Sequence, residues 1–148
     1  MPFNPVDTKV QDLIVIHSGT YLGGTSAGNS ITVKAADLAS VKGGLVACMT
    51  AANEVGLSDG TVTKYPIGLF IGDGANENDI SVVFRGGIYE TTQWKAADIA
   101  ALVVGSQVAA GTGGKMEAMA SQTDKVLIGI VTKKPATTSD TLGIKLVL

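Results

Sequence analysis

The six residues Lys34-Ala-Ala-Asp-Leu-Ala39 return as Lys95-Ala-Ala-Asp-Ile-Ala100, 61 positions later. At the same offset Gly44 meets Gly105, Lys64 meets Lys125, Ile67-Gly68 meets Ile128-Gly129, and Asp79 meets Asp140. Matches at one constant offset mark an internal repeat. A repeat limits the fold more than any local propensity does, because both copies must take the same path and share one core. A copy of about 57 residues buries too little surface to be stable alone. Two copies packed together in a single domain are the natural solution.

Each copy reads the same way. A segment compatible with one or two helical turns comes first, Val33 to Ala39 or Trp94 to Leu102, and a glycine stops it at Gly44 or Gly105. A strand follows, 44–49 or 105–110. Next comes a turn-rich stretch, Asn53 to Gly60 or Gly111-Thr-Gly-Gly-Lys115, and then a second strand, 65–71 or 125–132. A polar loop leads to a third strand. In that strand Ile80, Val82 and Phe84 share one face of the first copy, and Leu142, Ile144, Leu146 and Leu148 share one face of the second. An offset of 61 would set Phe84 against Lys145 and invert the face. An offset of 62 restores it, so the second polar loop holds one extra residue.

Short strands at this spacing, divided by Gly, Asn and Asp turns, predict an all-β barrel or sandwich with one or two short helices. The expected organisation is an extended N-terminal arm over 1–12 and one β domain over 13–148. Within it, the pseudo-repeats run from about 31 to 87 and from 92 to 148. Pro2 and Pro5 keep the arm out of helix. Leu13 to Ile16 reads as a first strand, followed by a glycine-rich loop from Gly19 to Asn29.

Composition closes off several classes. Glycine accounts for 19 of 148 residues and charged residues for only 16%, with a formal net charge of −2. With 45% hydrophobic residues the chain is too apolar for disorder. Its 11 basic residues against 13 acids, with Arg85 the only arginine, argue against a nucleic-acid partner. Apolar runs such as Leu13 to Ile16 are far below the roughly 20 residues that span a bilayer, so no membrane role is expected. The first residues show no export signal, and the lone Cys48 sits among apolar neighbours. Both fit a chain made in a reducing cytoplasm.

Motifs that could carry chemistry fail on context. Gly24-Thr-Ser-Ala-Gly28 fits a nucleophile elbow, but no α/β pattern surrounds Ser26 and the only histidine, His17, precedes it. One His and one Cys cannot build a zinc site. Gly111-Thr-Gly-Gly-Lys115 lacks both the earlier glycine and the Ser/Thr of a phosphate loop, since Ala109 and Met116 stand there. It reads as a hairpin turn. Asp73, Asn76, Glu77 and Asp79 crowd one loop without calcium-loop spacing and read as a solvated turn. Trp94, where the first copy has Val33, is a candidate for core or interface. No cofactor and no catalytic residue are expected.

One resemblance adds to this reading. The Pro66-Ile-Gly-Leu-Phe-Ile-Gly-Asp73 stretch, the Arg85-Gly-Gly-Ile-Tyr89 corner and the late Ile128-Gly-Ile-Val131 stand in an order that resembles small head decoration, or cement, proteins of tailed bacteriophages. A weaker likeness, over Ile31 to Gly44, is to β-clip modules of sugar-binding and antifreeze-like domains. The first resemblance implies a β-rich, cofactor-free, non-enzymatic virion protein. Such a protein sits on the capsid exterior as a homo-oligomer, often a trimer, bound to the major capsid protein and assembled in the host cytoplasm. It also implies a capsid-contacting arm, with Pro2, Phe3, Asn4 and Pro5 as contact candidates. The alternatives are another phage subunit (tail, fibre or spike) and a carbohydrate-binding β module.

Overall fold

The computed structural model describes residues 3–5, 12–17, 32–61, 63–74, 79–85, 87–119 and 125–148. Among these the chain is all-β. The strands are β1 (Phe3–Pro5), β2 (Asp12–His17), β3 (Thr32–Val33), β4 (Val46–Ala51), β5 (Glu54–Leu57), β6 (Pro66–Ile71), β7 (Asp79–Arg85), β8 (Ile88–Thr91), β9 (Gln107–Ala110), β10 (Met116–Ala118), β11 (Leu127–Lys133) and β12 (Leu142–Leu146). The helix-compatible segments shrink to single 3-10 turns, Leu38–Ser40 and Ala96–Asp98. Strands β2-β3-β5-β4-β6-β7 close into a barrel. Strands β1-β8-β12-β11-β9-β10 form a second, open sheet.

The strand registers repeat as the residues do. Met49 faces Val55 and Cys48 faces Gly56, and 61 residues on Ala110 faces Met116 and Ala109 faces Glu117. The β4–β6 pairs Val46↔Leu69, Ala47↔Gly68 and Cys48↔Pro66 return as Gln107↔Ile130, Val108↔Gly129 and Ala109↔Leu127, with the same irregularity in the middle. Even the parallel contact Val33↔Val55 has its counterpart in the bridge Trp94↔Met116. At the last strand the offset becomes 62. Phe70↔Val82 is matched by Val131↔Ile144, which keeps the apolar face of β12 inward.

The repeat also reaches further back than its residues suggest. Ile14 pairs with Val82 as Tyr89 pairs with Ile144, so β8 is the counterpart of β2 at an offset of 75. The difference lies in one connection. His17 and Thr32 are parallel neighbours separated by 14 residues, whereas their counterparts Thr92 and Gln93 are adjacent. A parallel pair needs a crossover of about a dozen residues. The first copy has one and closes its barrel. The second has none, which leaves one edge of β8 open. That edge is taken by β1, with Phe3↔Thr91, Asn4↔Glu90 and Pro5↔Tyr89. Of the segment read as an arm, residues 3–5 add a strand to the chain's own sheet and Asp12 opens β2, while the rest lies outside the described residues.

Strands β5 and β10 went unread because Glu54-Val-Gly-Leu57 and Met116-Glu-Ala118 offer little β propensity. A carboxylate supplies what propensity does not. Asp37 Oδ2 accepts the Leu57 N–H at 3.0 Å, and Asp98 Oδ2 accepts the Ala118 N–H at 2.9 Å. Each aspartate also anchors its own turn, since Val41 and Leu102 donate to the carbonyls of Asp37 and Asp98. This explains the repeated hexapeptide. Its aspartate fastens the turn to the strand 20 residues later.

The inward faces build two cores. Val33, Val41, Leu45, Ala47, Val55, Phe70, Ile80 and Val82 fill the first barrel. Val46, Cys48, Leu69 and Val83 lie on the opposite faces of their strands and join Tyr89, Trp94, Leu102, Val108 and Met116 of the second copy in a larger cluster. Backbone bonds seal this junction, with Val46 N–H on the Gly114 carbonyl at 2.7 Å and Gly114 N–H on the Ser58 carbonyl at 3.2 Å. The counterparts of Val46 and Val83 are Gln107 and Lys145, and both are exposed. The copies are thus joined through an apolar face that only the first possesses.

Each helical turn leads into its strand through a left-handed glycine, Gly44 at φ 93° and Gly105 at φ 89°. The amides of both bond across to the second long strand, on Phe70 and Val131. A Cβ on Gly105 would meet open space, so only backbone strain opposes it. Gly105→Ala should lower the unfolding free energy by about 1–2 kcal/mol in urea titrations. An unchanged midpoint would contradict the left-handed corner.

Candidate functional site

The residues singled out by sequence do not converge. Trp94 is 3% exposed and its indole N–H donates to the Asp140 carbonyl at 2.9 Å, so it belongs to the chain's own core and pins the β11–β12 loop. Phe3, Asn4 and Pro5 form β1, and Pro2 lies outside the described residues. His17 ends β2, opposite Asp79. Ser26 and its glycines, and Asn76 and Glu77, also lie outside the described residues. Gly111 to Lys115 is the expected hairpin turn, closed by the Gly111 N–H on the Lys115 carbonyl at 2.7 Å, with Gly113 and Gly114 at positive φ.

Outside β2 and β7, the carboxylates among the described residues are engaged in holding the fold. Besides the two strand clamps, Asp73 accepts the Gly43 N–H, Glu54 accepts from the Thr50 hydroxyl, and Glu90 takes Lys133 and the Thr141 hydroxyl. Asp59 is bonded by the Thr61 hydroxyl and N–H and by Lys64, which hold its pKa below the usual carboxylate range. The amides of Ala136 and Thr141 do the same for Asp140. Among the described residues no group of three or more His, Cys, Asp or Glu gathers in a metal-binding arrangement.

What the structure does assemble is a cleft at the junction of the copies, which sequence reasoning missed. It encloses about 540 Å³ and is lined by Ser40, Lys42, Leu45, Leu57, Gln93 and Lys115, among others. Lys115 also borders a smaller cavity of about 240 Å³, shared with Lys95, Thr112 and Glu117. Glu117 is buried at 7% exposure and is ion-paired with Lys125 at 2.5 Å. Its counterpart in the first copy is Gly56, where a Cβ would collide with the Asp37 carboxylate. The buried carboxylate of this cavity is therefore a feature of the second copy alone. The signal that could have found it is the pattern of unmatched charges. Lys115 stands opposite Glu54 in the repeat, and Lys42 opposite Val103.

No family model matches the chain, and no curated protein is similar to it.

Cys48 lies fully buried at the junction. Burial pushes its thiol from 9.0 up to about 11, against a smaller opposing effect from the Ser58 hydrogen bond. The folded thiol keeps its proton over a range where the unfolded one has lost it. Its contribution to stability is thus intact below pH 9 and lost as pH rises from 9 to about 11, a change of about 2–3 kcal/mol. Cys48→Ala, which copies the buried Ala109 of the other repeat, should flatten this part of the alkaline stability profile relative to the parent chain. Identical profiles for the two proteins would contradict a buried thiol.

Proposed function

We propose that the chain is a non-enzymatic structural protein of a virion, a decoration protein on the outer surface of a bacteriophage capsid. In this reading its partner is the major capsid protein. It works as a homo-oligomer, a trimer, assembled in the bacterial cytoplasm. The observation that carries the reading is the use of charge. Outside β2 and β7, every carboxylate side chain described is engaged by a backbone amide, a hydroxyl or a lysine. A site for acid–base work would instead hold such a group ready for a substrate. The charge-poor composition adds support, since large permanent interfaces are apolar. So do Tyr65 and Val104, exposed at 62% and 66%, and the resemblance in glycine corners and strand order.

The mechanism is then one of bracing. A rigid pair of β units, tied by backbone bonds at their junction, spans neighbouring capsid subunits and resists their separation. Residues 3–5 lie alongside β8 in the free chain. Purified protein should scatter light as a trimer and co-sediment with expanded phage heads. Deleting residues 1–11 should leave the body folded and weaken that co-sedimentation. A monomer that ignores heads would overturn the reading, and labelling confined to tails in electron micrographs would replace it with a tail or fibre role.

A further inference from the structure

We propose that the cleft between the two copies is a docking groove for an acidic segment of a partner protein, one with carboxylates on either side of an apolar residue. The inference does not depend on the virion reading. It rests on three observations. The first is the distribution of charge. Lys42 and Lys115 are exposed on the rim of the cleft and pair with no carboxylate among the described residues. Lys95, beside the adjoining cavity, is held by Asp98 at 3.7 Å, and Glu117 there is neutralised by Lys125. A chain with a net charge of −2 therefore presents a locally positive groove.

The second observation comes from the repeat, which acts as an internal control. Residues shared by both copies, such as Asp37 and Asp98 or Gly44 and Gly105, have structural tasks already described. Lys42 and Lys115 are not shared, because Val103 and Glu54 occupy their equivalent places. No turn or strand of the repeated unit requires a lysine at either position. They nevertheless come from different copies and line one cleft.

The third observation is the shape of the lining. Leu57, half-buried, lines the cleft together with these lysines, while Leu45 beside it belongs to the barrel core. The only carboxylate lining the adjoining cavity, Glu117, is already paired with Lys125. Favourable charge thus sits on the rim, with apolar surface beside it. That arrangement suits a peptide carrying separated carboxylates and an apolar side chain better than it suits a small, dense anion. Association through it gains rate and specificity from the charges and contact from Leu57.

The test is fluorescence anisotropy of a labelled Glu-Asp-Leu-Glu-Asp peptide titrated with the full-length chain. Saturable binding is expected, falling away as salt is raised to about 0.5 M. Lys42→Glu and Lys115→Glu should each weaken it about fivefold or more, while Lys134→Glu, on an exposed loop elsewhere, should not. Circular dichroism checks that all three variants fold. Inorganic phosphate should compete no better than chloride at equal ionic strength. Three results would overturn the proposal: no binding, equal losses in all three variants, or displacement by phosphate at low concentration, which would mark a small-anion site.

Discussion

One hydrogen bond, made twice, organises the chain. An aspartate at the end of a short turn reaches the backbone amide of a strand 20 residues later, Asp37 to Leu57 and Asp98 to Ala118. A hydrogen bond to a charged group contributes about 1.5–3 kcal/mol, less where solvent reaches it. That exceeds what the weak strand propensity of Glu54–Leu57 or Met116–Ala118 supplies. Once the turn is fastened, the left-handed glycine that follows sets the start of β4 or β9, and the long strands pair in the only register that keeps their apolar faces inward. The single added residue before β12 sits not in the polar loop, as the sequence suggests, but in a bulge of β11 between Val131 and Lys133, and it restores that register.

The two copies differ where the domain needs them to differ. Fourteen additional residues between β2 and β3 allow a parallel pairing and close the first barrel. Without them the second sheet stays open, and the N-terminal strand covers the edge that results. Strands β4 and β6 are apolar on both faces and β7 adds Val83, so the outside of the first barrel becomes the floor on which the second copy packs. Where the second copy has no such neighbour, Gln107 and Lys145 take the equivalent places and face water.

Much of this was legible in the sequence. The offset of 61, its change to 62 and the glycine corners came from matching residues alone, because each reports a local constraint both copies must satisfy. The junction itself stayed hidden, since nothing in the sequence says that the outer apolar face of the first copy meets the second, and the backbone bonds at Gly114 and Ser58 that seal it leave no residue pattern. Strand β8 was missed as a partner of β2 because its offset is 75 and only pairing reveals it. The cleft was missed for the same reason. Lys42 and Lys115 are 73 positions apart and mean nothing until the copies are packed.

The direct test of the account is amide hydrogen exchange, read residue by residue in the parent chain and in Asp98→Ala. In the parent, the Leu57 and Ala118 amides should both exchange slowly. In the variant, Ala118 should exchange about tenfold faster or more, with Leu57 unchanged, because each aspartate clamps its own copy. If Ala118 keeps its protection, or if both amides lose theirs equally, the aspartate clamp is not what holds the repeated unit together.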